Sequence, residues 1–580
     1  MLKTILTSFS LIGSKSGGKF LFISFLVVGN SFVEMSGIAL VYPIINFLLV
    51  DDFLAFIANY DVVGFFSGKT EREIFHFFLF LLVTTTFFKV IFQLALTMQI
   101  TKFNGFQEAK ISTSLLRKYL QLPYIFFLKK NSSAIINELI QITAKFSSQV
   151  LSPLMLIFSD FFILFIVSIL LITIDFRIYI YSATFLIFFS YFYIFIIKSK
   201  ISKWGAALNS YENDRINIIQ QIFMSLRNFK LSNNQFTFFN NYSNFSHKKG
   251  KVIAKYTTLL GVPRLVMELM IVALFSFLLL YLKKLNYPNS EIVSTLGIYV
   301  VCVFRLMPVI NRILHSFQEI KLGKDSLEKL IEIKNNFDIS TKDILIEKEN
   351  TYIHKNIKIS EIIFRDVSFE YNSGKQVLKN INLTISGGEK IGIVGKTGSG
   401  KTTFVDILCG LIKPTKGEVL YNKSNIYFSL NSFKGNLGYV PQTVFLNDTS
   451  ILKNIAFGEE DNQINIEKVN KLIECLDLES FISDLPKKLN TTVGQNGVRL
   501  SGGQKQRIGI ARSLYHEPNV LIFDEATNAL DVETEKKIFE NLKYLLKDVT
   551  TFIITHKLDT LKYCSKTIEV KNNEITIVNN

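Results

Sequence analysis

The chain has 580 residues, 49% of them hydrophobic, with 54 Phe, a mean hydropathy of +0.30 and a formal charge of +16. At ~100–200 residues per domain this length predicts several folding units, and so apolar a composition excludes a wholly water-soluble protein. The charge flanks apolar segments and comes with no basic helix or aromatic stacking platform, which excludes nucleic acid, and four scattered cysteines (Cys302, Cys409, Cys475, Cys564) without a CxxC pair exclude a zinc site or disulfide framework.

The first apolar run extends from Phe20 to about Leu49, too long for the short core of a cleavable signal, so it is expected to remain as a membrane helix. A hydrocarbon core of ~30 Å takes ~20 helical residues. Runs of that length lie near residues 20–49, 74–100, 147–174, 177–198, 257–282 and 292–315, predicting six crossings. The stretches 101–146 and 199–256 are long, helical and rich in Lys and Arg, which places both hairpins and both termini on the cytoplasmic side. Elbows that dock on a second domain are expected around Gln121–Phe127 and Asn209–Asn228. A polar linker follows near 336–356, and from Ile357 strand-like and helix-like segments alternate as in an α/β domain. The expected division is a membrane domain over 1–340 and an α/β domain over 341–580.

Four basic residues sit inside the spans: Lys89, Arg264, Arg305 and Arg312. Each costs roughly 2.5–3.5 kcal/mol on insertion scales, so each is a functional candidate. Arg305 and Arg312 are seven residues apart and share a helix face with a drift of ~20°. An arginine-lined cavity open to the cytoplasm would suit a phosphorylated headgroup, because guanidinium groups grip phosphate through paired hydrogen bonds. The competing reading for Arg312 and Lys89 is snorkelling, pairing with a lipid phosphate, or internal neutralisation of either by Glu34 or Glu268.

The second half carries Gly395-Lys396-Thr397-Gly398-Ser399-Gly400-Lys401-Thr402 after the apolar strand Ile391–Val394 and before the helical Thr403–Cys409, the full GxxxxGK[ST] pattern in its proper setting. Its backbone N–H groups cradle phosphate, Lys401 offsets charge on the β- and γ-phosphates, and Thr402 supplies a hydroxyl to Mg²⁺. Val520-Leu521-Ile522-Phe523-Asp524-Glu525 reads as a buried strand delivering two carboxylates at its carboxyl end: Asp524 for Mg²⁺ and Glu525 as the general base. ATP and Mg²⁺ are the expected cofactors.

Leu500-Ser501-Gly502-Gly503-Gln504 resembles the signature of ATP-binding cassette (ABC) proteins. That resemblance implies adenine stacking by Tyr371, nucleotide contacts from the phosphate loop with Thr403, a role for Gln442 in catalysis and at the metal, a D-loop at Ala529–Asp531, and a switch histidine at His556. It also implies that Ser501, Gly502, Gly503 and Gln504 of one copy close over ATP held by another, hence a homodimer. Six helices before the cassette resemble an exporter-type (type IV) fold. Thr492–Gly497 resembles the exporter X-loop but carries Gln495 and Asn496 where an acid and a base are usual.

The stretches Gly37–Pro43, Val262–Arg264 and Phe304–Pro308 through Asn311–Ile313 resemble PglK-type flippases of lipid-linked oligosaccharides. The resemblance implies a diphosphate-binding belt at Arg264, Arg305 and Arg312, with Lys89 in place of an arginine. It further implies an inner, cytoplasmic membrane location with the cassette in the cytoplasm, and a lipid-linked cargo bound from the membrane. Rival readings are an exporter of lipid A, a hydrophobic drug or a peptide; an ABC channel or receptor often loses the general base, which Glu525 here supplies.

Overall fold

The computed structural model describes residues 17–49, 66, 68–174, 176–231, 235–285, 289–340, 358–371, 374–427, 433 and 435–578. It divides into two units, Met1–Leu122 with Lys130–Ile344, and Pro123–Lys129 with Leu345–Asn580.

The first unit is helical: α1 (Gly17–Ala39), α2 (Val41–Leu49) and α3 (Glu71–Leu120) precede α4 (Tyr124–Lys129), which belongs to the second unit. There follow α5 (Ser132–Thr173), α6 (Phe176–Met224), α7 (Leu226–Leu231), α8 (Gln235–Lys284), α9 (Asn289–Leu322) and α10 (Lys324–Ser340). Thr70 starts α3 through a capping box. Its hydroxyl accepts from the Glu73 N–H, and the Glu73 carboxylate accepts from the Thr70 N–H at 2.8 Å, satisfying donors that a helix start leaves open.

Among the described residues, five helices are long and apolar enough to cross a membrane: Gly18–Ile45, Glu71–Leu120, Ser132–Thr173, Gln235–Lys284 and Tyr299–Leu322. The predicted 177–198 span lies within the continuous α6. Inward faces interlock in clusters such as Ile23, Val27, Leu96, Ile100 and Met155, while Phe80, Phe87 and Leu94 of α3 remain exposed. Outward apolar faces of this kind suit acyl chains better than water. The loop between α9 and α10 approaches α5 so closely that a Cβ on Gly323 would lie 2.8 Å from Gln149 Cβ, a contact only glycine tolerates.

The predicted elbow at 121–127 is divided between the units. From Pro123 onward it groups with the second unit, where Ile125 packs against that unit's apolar core. At the other elbow, α6 continues through 209–224 and the break falls at Ser225.

The second unit has two sheets. The first contains β1 (Glu361–Glu370), β2 (Gln376–Ser386), β4 (Lys416–Tyr421) and β5 (Ser424–Asn425) in the antiparallel order β2-β1-β4-β5. The second contains β3 (Lys390–Val394), β6 (Leu437–Val440), β7 (Val520–Asp524), β8 (Thr550–Ile554), β9 (Lys566–Lys571) and β10 (Glu574–Val578) in the order β10-β9-β3-β8-β7-β6. All its pairings are parallel except β9 with β10. Val520–Phe523 and the whole of β8 are buried, as expected of parallel strands covered on both faces. Four helices matter for the site: α11 (Lys401–Leu408), α12 (Gly502–Tyr515), α13 (Val532–Leu545) and α14 (Leu558–Leu561). Since β3, β8, β7 and β6 are consecutive neighbours, the loops leaving their carboxyl ends converge, the usual place for a ligand in an α/β sheet.

Candidate nucleotide and cargo sites

The phosphate loop joins β3 to α11. Gly398 (φ +80°) and Gly400 (φ +107°) occupy the left-handed region, and a Cβ on Gly400 would meet Val377 Cγ1 at 3.1 Å. With glycine at the N-cap, no side chain caps the first turn of α11, whose backbone donors lack intrahelical partners. Ser399 Oγ is buried and has no hydrogen-bond partner among the described residues. Lys401 folds back over the loop, its ammonium donating to the carbonyls of Gly395 at 2.6 Å and Lys396 at 3.2 Å. These open donors and an adjacent cation fit a polyanionic phosphate chain.

Tyr371 follows β1, with its hydroxyl 3.2 Å from Thr403 Oγ1 and its ring edge-on to Phe369. The tyrosine expected to stack on adenine therefore stands beside the first turn of the phosphate-loop helix.

At the end of β7, Asp524 Oδ2 accepts from the Tyr439 hydroxyl at 2.8 Å. Burial pushes its carboxyl up and the neighbouring Glu525 charge adds to this, while the Tyr439 hydrogen bond pulls it down. Burial, with the Asp524 charge as a further cause, pushes Asp406 of α11 up to about 6. Glu525 has φ +51°, a conformation that costs a non-glycine residue ~1–3 kcal/mol and must be held by its surroundings. Its N–H donates to Ile554 O at 3.0 Å. Its carboxylate accepts from Gln442 Nε2 at 2.7 Å and Asn528 Nδ2 at 2.9 Å, and its Oε1 lies 3.2 Å from His556 Nε2. The fold thus brings Gln442, Glu525 and His556 together. Mg²⁺ favours oxygen donors and commonly uses one or two protein groups beside substrate phosphates, a need that the Thr402 hydroxyl, the Asp524 carboxylate and the Gln442 amide oxygen fit.

Ser501 caps α12: its hydroxyl accepts from the Gln504 N–H at 3.2 Å, and Gln504 Oε1 accepts from the Ser501 N–H at 2.8 Å. Gly502 and Gly503 abut the Ala529–Leu530 segment, where a Cβ on Gly503 would lie 3.4 Å from Ala529 O. The signature and D-loop of one chain are therefore neighbours, and Asp531 caps α13 through the Thr534 N–H.

In the first unit, every described basic candidate has an acidic neighbour. Lys89 Nζ lies 2.6 Å from Glu34 Oε1, an internal pairing open from the sequence, and Arg264 Nε lies 3.2 Å from Glu268 Oε1, a pairing the sequence reading did not weigh. Arg312 instead engages Asp160 through Nη2 at 2.7 Å and Nε at 3.2 Å. Asp160 is only 3% exposed, whereas Arg312 is 38% exposed. Arg264 and Arg312 line one cavity of about 290 Å³ with Leu156, Pro263, Asn311 and His315. The side chain of Arg305, on α9, lies outside the described residues.

Sequence reasoning missed Asp160, Tyr439, Asp406 and Asn528. Asp160 carried a legible signal: it is an ionisable residue inside the apolar run 152–174, the same criterion that singled out the arginines. The other three needed the sheet order or a loop geometry.

Residues 378–528 match the family model described as ABC transporter. The chain is 37% identical over 240 residues to an uncharacterized ABC transporter ATP-binding protein, YfiC, of Bacillus subtilis, covering 41% of this chain and 39% of that protein. It is 34% identical over 236 residues to an ATP-dependent lipid A-core flippase of Ralstonia nicotianae, covering 40% of each. The match spans less than half the length of these curated relatives. A solved bacterial Atm1-family ABC exporter with ATP bound superposes with a TM-score of 0.77 at 19% identity, over 97% of this chain and 94% of that one. Residues 378–528 of the second unit thus match the ABC transporter model, and over nearly its full length the chain has the fold of an ABC exporter.

Proposed function

We propose that two copies of this chain form an ATP-driven flippase that moves a polyisoprenyl-diphosphate-linked oligosaccharide from the cytoplasmic to the outer leaflet of the inner membrane. The observation that carries the cargo reading is the shared cavity of Arg264 and Arg312, with Arg312 held at its Nε edge by buried Asp160. Oriented guanidinium groups in an apolar setting favour a phosphorylated headgroup. Arg305 and Lys89 complete the proposed basic belt.

In the nucleotide site, Tyr371 supports the base, while the phosphate loop from Gly395 to Thr403 and Lys401 hold the phosphates. Thr402, Asp524 and Gln442 would hold Mg²⁺, which when bound would offset phosphate charge. Glu525, oriented by Gln442, Asn528 and His556, takes a proton from the attacking water. Water oxygen bonds to the γ-phosphorus as the bond to the ADP oxygen breaks. The signature of the second copy, Ser501–Gln504, closes the site. Binding of ATP favours the paired, outward-open arrangement and its loss favours the inward one, each site biasing the other.

The nearest alternative is another amphiphile with a phosphorylated headgroup, a reading favoured by the relatives named lipid A-core flippases. Transfer across proteoliposome membranes distinguishes the two. With ATP, wild type is expected to translocate a labelled polyisoprenyl-diphosphate oligosaccharide in preference to lipid A, Glu525→Gln to translocate neither, and Arg305→Ala or Arg312→Ala to move fewer molecules per ATP hydrolysed. Translocation of lipid A alone by the wild type replaces the oligosaccharide reading.

A further inference from the structure

Glu535, in the first turn of α13, is 7% exposed, and both of its carboxylate oxygens are engaged. Oε1 accepts from the hydroxyls of Thr527 at 2.9 Å and Thr560 at 2.7 Å. Oε2 accepts from Lys557 Nζ at 2.7 Å, and the same ammonium donates to the Thr527 carbonyl at 3.0 Å. Thr527 lies two residues beyond Glu525 on the loop leaving β7. Lys557 immediately follows His556 on the loop leaving β8, and its backbone N–H donates to Thr555 Oγ1 at 3.0 Å. A single buried carboxylate therefore ties together, from behind, the two loops whose side chains meet at the 3.2 Å contact between Glu525 and His556.

Burying a carboxylate against a half-buried lysine is a poor way to gain stability, since well-packed apolar residues of similar volume often serve as well. What it supplies is direction: three hydrogen bonds fix Thr527 and Lys557 in distance and orientation, a fourth adds Thr560, and a connected network around a buried carboxylate resists small shifts. Glu525 needs such support, because its positive φ persists only where the surroundings impose it.

We propose that Glu535 and Lys557 are positioning residues for hydrolysis, setting the spacing of the Glu525 carboxylate from the His556 imidazole without touching nucleotide. The proposal rests on the ATPase reading above. The test is steady-state hydrolysis of MgATP by the full-length chain in phospholipid nanodiscs, alongside thermal unfolding of each variant. Because displacements near 1 Å cost on the order of 100-fold in rate, Glu535→Gln and Lys557→Gln are expected to lower kcat at least about tenfold with KM for ATP changed less than about twofold. Lys557→Arg, which keeps a cation able to serve both acceptors, is expected to retain more than about a third of wild-type kcat.

Wild-type kcat in a Glu535→Gln protein that melts like wild type overturns the proposal. So does a loss of kcat that follows the melting temperature, raises KM in step and is no milder in Lys557→Arg than in Lys557→Gln, since the network then serves only the fold. A wild-type chain that binds MgATP without hydrolysing it refutes the ATPase reading itself, and with it this role.

Discussion

Gln442 Nε2 donates a 2.7 Å hydrogen bond to Glu525 Oε2, joining the loop after β6 to the end of β7 across 83 residues of sequence. The same carboxylate faces His556, so the proposed base is held from both sides. Glu525→Gln keeps the shape but cannot accept a proton. Its kcat is expected to fall by roughly 10²–10⁴ with ATP affinity retained. Gln442→Ala, which removes one orienting donor, should lower kcat less. Single-turnover hydrolysis with a separate nucleotide-binding assay checks both, and equal losses of binding and turnover refute the assignment.

Lys401 bonds the carbonyls of Gly395 and Lys396, holding the phosphate loop arched. Lys401→Ala removes both that brace and the cation proposed for the phosphates. ATP binding should weaken at least about tenfold, the effect of losing roughly 1.4 kcal/mol. Amide hydrogen exchange over 395–400 should rise in the nucleotide-free protein, an effect that a purely ligand-directed lysine would not produce.

Asp406 predicts a pH effect. Its folded-state value of about 6 lies above the ordinary 3.8, raised by burial and then by Asp524. A raised carboxyl favours the folded state fully below the unfolded value, and this contribution is lost as pH rises through about 6. Asp406→Asn is therefore expected to raise the melting temperature relative to wild type at pH 7–8, with the difference shrinking toward pH 4. A constant difference across that range would assign the effect to packing.

Asp160 orients Arg312, and its carboxylate is almost wholly buried. Asp160→Asn keeps the volume and removes the charge, which should lower stability by roughly 1–3 kcal/mol. Cargo moved per ATP hydrolysed should fall as in Arg312→Ala. An Asp160→Asn protein with wild-type coupling would show that Arg312 needs no such support.

Much of the proposed nucleotide site is local in character. The turn from Gly395 to Thr402, the strand ending in Asp524 and Glu525, and the Ser501–Gln504 cap depend on backbone geometry within a few residues, so their residue order alone specifies them. Five of the six predicted apolar runs likewise coincide, among the described residues, with helices long and apolar enough to cross a membrane, because the required length and composition are properties of each segment. Tertiary structure decided which distant groups meet. It brought Asp160 to Arg312 across 152 residues, Gln442 to Glu525 across 83, and Glu535 to Lys557 across 22. A lone carboxylate in a sequence carries no sign of the cation it will neutralise; the packing of helices and the order of parallel strands determine which charges share a low-dielectric neighbourhood and therefore must pair.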